Sequence, residues 1–123
     1  MGWWSILKKV LIVDDGAFMR ILMKGMLEKN GYEIIGEAED GDIAVEKYKE
    51  LKPELVTMDI TMPNHDGLWA LKEIMKIDPD ANVIMVSAMG QDENIKEAII
   101  SGARGFVVKP FDESGLISVL ESI

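Results

Sequence analysis

Four short apolar runs in this chain each end on a residue whose side chain can do chemistry. Val10-Leu11-Ile12-Val13 runs into Asp14-Asp15, Leu55-Val56-Thr57-Met58 into Asp59, Val83-Ile84-Met85-Val86 into Ser87, and Phe106-Val107-Val108 into Lys109-Pro110. Short runs bounded by turn residues read as strands of a parallel sheet buried on both faces. In such an open sheet the carboxyl ends of the strands share one edge, and ligands bind there. Three carboxylates, a hydroxyl and a lysine, far apart in sequence, are therefore expected to converge on one cleft.

Helical patterns alternate with these runs. Phe18, Ile21, Leu22, Gly25 and Met26 fall at helical spacing before an Asn30-Gly31 stop, and Tyr32 to Ala38 reads as a further strand. Asp40-Gly41-Asp42 turns into a helix whose inner face is Ala44, Tyr48 and Leu51, ended by Pro53. Pro63 to Gly67 is a loop, Leu68, Leu71, Ile74 and Met75 line the next helix, and Asp78-Pro79-Asp80 breaks it. Ile95, Ala98, Ile99 and Gly102 mark a fourth helix, and Leu116, Val119, Leu120 and Ile123 a fifth. Five βα units in a row with right-handed crossovers put helices on both sides of a parallel sheet, an α/β, doubly wound, three-layer domain.

The chain's 123 residues, 48% hydrophobic, suit one domain with a real core and leave no room for a second. Without cysteine there is neither a disulfide framework nor a thiolate metal site. A net charge of −9 argues against direct nucleic-acid binding and against docking on anionic lipid. The apolar opening Met1-Gly2-Trp3-Trp4-Ser5-Ile6-Leu7 is too short to span a bilayer and lacks a signal-peptide cleavage pattern, so the expected location is cytoplasmic. Residues 1–8 read as an N-terminal extension in which Trp3 and Trp4 carry no assigned role.

Asp14, Asp15 and Asp59 on one sheet edge bring like charges together, which raises carboxyl pKa values unless a cation neutralises them. A hard divalent ion answers that need, and Mg²⁺, which takes one or two carboxylates and keeps water and phosphate oxygens elsewhere, suits so sparse a site. Taken alone, Asp15 reads more simply as the cap of the following helix. Lys109 beside the carboxylates is placed to hold an anion that the metal also contacts, and Ser87 can donate to the same anion. The set fits phosphoryl transfer, with one of the carboxylates as nucleophile forming an acyl phosphate.

Val-Asp-Asp at 13–15, Met-Asp-Ile-Thr-Met-Pro at 58–63, Asp66-Gly67, Ser87-Ala88 and Val-Lys-Pro-Phe at 108–111 resemble the response-regulator receiver domain, with every signature in order from Lys9 to the C-terminus. The stretches at 15–20, 56–63 and 87–91 are most similar to chemotaxis receivers of the thermophile and Gram-positive type. The resemblance implies a flavodoxin-like strand order 2-1-3-4-5, a receiver over residues 9–123, and Asp59 as the phosphorylated residue. It makes Asp15, Asp59 and the Thr61 backbone carbonyl Mg²⁺ ligands, with Asp14 acting through water. Lys109 grips the phosphoryl group, Ser87 shifts toward it, and Phe106 turns inward behind Ser87. It further implies a cis Lys109–Pro110 peptide and a path for hydrolytic water bordered by Thr61 and Met89. The implied partners are a chemotaxis-type histidine kinase upstream and a flagellar motor switch protein, or an archaeal motor adaptor, downstream. The protein is expected to be a monomer, catalytic only on itself. The alternative is a receiver excised from a larger regulator with a DNA-binding or enzymatic output.

Other residues read more plainly. Phe106, an aromatic in a strand, is on its own terms a core residue. His65, the single histidine, has no second nitrogen or thiol ligand and reads as solvated. Met19, Met23 and Met26 at helical spacing read as core filling. A dinucleotide-binding domain would need Gly-x-Gly-x-x-Gly where Asp14-Asp15-Gly16-Ala17-Phe18 stands. A haloacid-dehalogenase phosphatase would need a second aspartate where Thr61 stands, and without that general acid rapid turnover is not expected.

Overall fold

In the computed structural model, residues 8–123 are described, so Trp3 and Trp4 lie outside the described residues. Five parallel strands and five helices alternate: β1 (Lys8–Val13), α1 (Ala17–Lys29), β2 (Tyr32–Ala38), α2 (Gly41–Leu51), β3 (Leu55–Asp59), α3 (Gly67–Ile77), β4 (Val83–Ala88), α4 (Asp92–Ile100), β5 (Gly105–Lys109) and α5 (Glu113–Glu121). The sheet order is β2-β1-β3-β4-β5, so the chain reverses its direction of winding between β1 and β3. That reversal opens a crevice at the carboxyl ends of those two strands.

The strands carry apolar side chains on both faces because both faces are covered. Leu11, Val13, Val56, Met58, Val83 and Met85 pack with Ala44, Tyr48, Leu68, Leu71, Ile74 and Ala98 of α2, α3 and α4. Val10, Ile12, Ile84, Val86 and Val107 pack with Met23 and Leu27 of α1 and Leu116, Ile117 and Leu120 of α5. Among the described residues no helix is long and apolar enough to cross a membrane.

Three helix faces differ from the expected ones. In α1 the buried residues are Met23 and Leu27, with Met19 and Met26 packed beside them, while Phe18 and Ile21 are largely exposed and Leu22 is partly so. The methionine stripe is thus the inner face, and its flexible thioethers fill the space against the sheet. In α4, Ile95 and Ala98 pack inward, but Ile99 is exposed and Gly102 lies past the helix end at φ +114°, a left-handed turn that favours glycine. Ile123 lies beyond the end of α5 and is partly exposed.

Three aspartates fix where helices begin. Asp40, Asp66 and Asp112 cap α2, α3 and α5, accepting the backbone N–H of Ile43, Trp69 and Gly115 at 2.9, 2.9 and 2.7 Å. The loop between β3 and α3 is held against the strand end by close backbone approach. Gly67 N–H donates to the Ile60 carbonyl at 2.8 Å, and a Cβ at Gly67 would stand 2.0 Å from the Asp59 carbonyl oxygen. Gly67→Ala must therefore push the loop off β3. We expect it to lower stability by on the order of 3 kcal/mol in urea unfolding. A midpoint equal to wild type would show that the loop does not depend on this approach.

Candidate phosphoacceptor site

The register Val13↔Met58 between β1 and β3 brings Asp14 and Asp59 to adjacent strand ends, and the register Asp59↔Val86 places Ser87 one residue further along β4. The pairing Ala88↔Lys109 brings the lysine to the same edge from β5. Sheet register alone thus assembles residues from four strands.

Carboxylate oxygens of Asp14, Asp15 and Asp59 all lie within 4.8 Å of one another. Asp14 and Asp59 are buried and Asp15 is exposed. Lys109 Nζ donates to Asp14 Oδ2 at 2.9 Å and stands 3.7 Å from Asp59 Oδ1. Unlike the three capping aspartates, none of this group caps a helix. The N-cap of α1 is Gly16, with no side-chain bond, and Gly16 N–H is taken by Asp14 Oδ1 at 2.8 Å. The simpler reading of Asp15 as a cap is thereby corrected: the neighbour Asp14 has taken the nearest amide, and the Asp15 carboxylate belongs to the acidic group.

The electrostatics follow from this crowding. Burial and the charge of Asp14 push the Asp59 carboxyl up from 3.8 to about 6, with Asp15 adding to the rise and Lys109 and the Thr61 amide opposing it. Burial pulls the Lys109 ammonium down, but its bond to Asp14 and the charges of Asp59, Asp14 and Asp15 outweigh that, so its pKa stands above the ordinary 10.5. A lysine so placed stays charged and can neutralise only part of the cluster.

Ser87 is fully buried, and its hydroxyl has no hydrogen-bond partner among the described residues. A buried hydroxyl left in that state costs about 1–3 kcal/mol, so its place at the edge of the cleft suits an acceptor that arrives later. The hydroxyl of Thr57, in the middle of β3, is likewise buried and unpartnered among the described residues.

A family model described as the response regulator receiver domain matches residues 10–121. The chain belongs to the response regulator receiver family. This receiver is 58% identical over 116 residues to the chemotaxis protein CheY of Thermotoga maritima, covering 94% of this chain and 97% of that one. It is 57% identical over 115 residues to CheY of Bacillus subtilis, covering 94% and 93%. Among solved structures, a CheX-CheY-BeF3-Mg+2 complex from Borrelia burgdorferi superposes with a TM-score of 0.93 at 40% identity, covering 97% of this chain and 90% of that one. The receiver fold, with strand order 2-1-3-4-5, and homology to a phosphorylation-activated chemotaxis switch are thus shown.

Several side chains of this receiver stand where the sequence alone did not place them. Phe106 is not a core residue: it is 43% exposed on β5, beside an apolar groove it shares with Ile95, Lys96, Ile99, Ile100 and Val108. His65 is half-exposed but not free, because its Nδ1 lies 2.7 Å from Asp42 Oδ1 and its ring stacks on Trp69 with centroids 3.8 Å apart. The Lys109–Pro110 peptide is cis, as the resemblance implies.

Sequence reasoning missed Arg20 altogether. Its Nη1 donates to the Asp14 carbonyl at 2.6 Å and its Nε to Glu37 Oε1 at 3.1 Å, which braces the loop carrying Asp14 and Asp15 against β2.

The raised Asp59 carboxyl has a measurable consequence in metal-free buffer. With a folded pKa of about 6 against an ordinary 3.8, the folded protein holds a proton that the unfolded chain releases. The associated stability is fully present below about pH 4 and is lost as pH rises through about 6. Asp59→Asn removes this dependence. Relative to wild type, the variant should gain on the order of 2 kcal/mol between pH 4 and pH 7 in chemical denaturation. A stability difference that does not change with pH would contradict the proposed strain.

Proposed function

We propose that this receiver takes a phosphoryl group from a chemotaxis-type histidine kinase onto Asp59, with Mg²⁺ held by Asp15, Asp59 and the Thr61 carbonyl and, through water, by Asp14. The observation that carries the reading is the convergence of three carboxylates within 4.8 Å, with Lys109 within 3.7 Å of the nucleophile, Asp59. The donor set is all oxygen and short of cationic charge, which fits a hard divalent ion. When bound, Mg²⁺ neutralises the carboxylates and the phosphoryl oxygens during transfer.

The chain's own residues do the rest. Asp59 reacts as the carboxylate, and one of its oxygens bonds to phosphorus as the phosphorus–nitrogen bond of the donor phosphohistidine breaks. The freed imidazole nitrogen takes its proton from solvent, and an acyl phosphate is left on Asp59. Lys109, 2.9 Å from Asp14 Oδ2 and 3.7 Å from Asp59 Oδ1, can leave Asp14 for an oxygen of a phosphoryl group on Asp59. Ser87 supplies the hydroxyl that has no other partner among the described residues. Its shift toward the phosphoryl group vacates space behind it, and the exposed Phe106 turns in to fill that space.

That movement reshapes the groove between α4 and β5, and the reshaped face binds the downstream protein. The identities of 58% and 57% to chemotaxis proteins, against 40% to a transcriptional regulatory protein of Mycobacterium tuberculosis, support a motor switch protein or motor adaptor as the partner. The Borrelia burgdorferi complex contains Mg+2, which supports the choice of ion. The protein acts as a switch rather than an enzyme, catalytic only in its own phosphorylation and dephosphorylation.

Acetyl phosphate with Mg²⁺ should label the protein without any kinase, because the receiver itself supplies the neutralising groups. Mass spectrometry should place the phosphate at Asp59, and Asp59→Asn should abolish it. Label on His65 or Ser87 would refute the assignment. Ser87→Ala should still accept phosphate, yet its phosphorylation-dependent gain in partner affinity should fall by about tenfold, the worth of one charge-assisted hydrogen bond. Equal gains at equal Asp59 occupancy would remove Ser87 from the switch.

A further inference from the structure

Strands β3 and β4 stay paired as far as the bond from Ile60 N–H to the Val86 carbonyl, 3.1 Å, after which the chain leaves the sheet at the end of β3 while β4 runs on beside β5 to Ala88. The gap that opens there lies between the loop following Asp59 and the end of β4. One side chain crosses it. Gln91 Nε2 donates to Thr61 Oγ1 at 2.9 Å, and Gln91 Oε1 accepts the Ala88 N–H at 2.7 Å. Gln91 occupies the N-cap position of α4, but its side chain makes no capping bond to that helix. Both ends of the amide are engaged in the crossing, and a side-chain amide is suited to it because it offers a donor and an acceptor at once.

We propose that Gln91 is a positioning residue that narrows the gap between Thr61 and Ala88 and so prolongs the life of the phosphoryl group on Asp59. The inference rests on Asp59 as the phosphoacceptor. In hydrolysis a water oxygen bonds to phosphorus while the bond from phosphorus to the Asp59 oxygen breaks. Asp59 leaves as a carboxylate, and inorganic phosphate and a proton pass to solvent. In-line attack brings that water from the side opposite Asp59, beyond the strand ends, where the loop carrying Thr61 and the end of β4 at Ala88 border the approach. Gln91 also joins the two halves of the site: Ala88 follows Ser87 directly, so a shift of Ser87 acts through Gln91 on Thr61.

The test uses Gln91→Met, which keeps the length of the side chain but neither hydrogen bond, together with Thr61→Val and the double variant. Each full-length protein is loaded with acetyl phosphate and Mg²⁺, the donor is removed, and loss of phosphate from Asp59 is followed. Gln91→Met should lose phosphate about fivefold faster than wild type, the restraint of one neutral hydrogen bond. The double variant should be no faster than Gln91→Met, since both changes break the same link. Melting temperature and Mg²⁺ affinity should match wild type in Gln91→Met.

Equal lifetimes in wild type and Gln91→Met, or additive effects in the double variant, would overturn the inference. So would a loss of Mg²⁺ affinity in Gln91→Met, which would place its action on the acidic group instead. Wild-type protein that takes no phosphate at Asp59 would refute the phosphoacceptor reading, and this inference with it. Labelled wild type with an unaltered variant lifetime would refute this inference alone.

Discussion

Like-charge crowding at the ends of β1 and β3 is the constraint on which the rest of this structure depends. Asp14 and Asp59 are brought together by strand register, and the sheet core on both faces keeps them from moving apart. Lys109 relieves part of the repulsion by binding Asp14 at 2.9 Å, but at 3.7 Å from Asp59 it leaves that carboxylate only loosely compensated. The protein therefore carries an unmet demand for positive charge at one place, and an unmet hydrogen bond on Ser87 beside it. In the proposed function a divalent ion and a phosphoryl group would answer both demands, which would give phosphorylation its leverage over conformation.

Six aspartates of the chain divide into two kinds by what their oxygens are bound to. Asp40, Asp66 and Asp112 each accept a backbone N–H from the first turn of a helix, a local use that fixes where the helix starts. Asp15 and Asp59 accept no such cap, and Asp14 takes only the Gly16 amide while keeping Oδ2 for Lys109. The difference between scaffold and site thus lies in which carboxylates the local backbone has already satisfied.

Strand ends and their chemistry were legible in the sequence because buried parallel strands read as continuous apolar runs, and the residue that stops each run is at the shared edge. The inner face of α1 was not legible, since Phe18-Ile21-Leu22 and Met19-Met23-Met26 both follow helical spacing and periodicity does not say which arc meets the sheet. Phe106 escaped for a related reason: an aromatic in a strand signals burial, yet β5 is the last strand and one side of it meets a groove rather than a helix. Arg20 and Gln91 were invisible because each acts on a backbone group at or just past the end of the strand before its own helix, at Asp14 and Ala88, and side-chain to backbone bonds leave no periodic trace.

The most direct test of the account is the pH titration of the Asp59 carboxyl carbon by NMR in wild-type protein, with and without Mg²⁺. Crowding without a cation predicts a midpoint at about 6 in metal-free buffer, and a midpoint brought well below that when saturating Mg²⁺ satisfies the cluster. A midpoint near the ordinary 3.8 in both conditions would mean that Asp59 is under no electrostatic strain and that the three carboxylates do not share an ion.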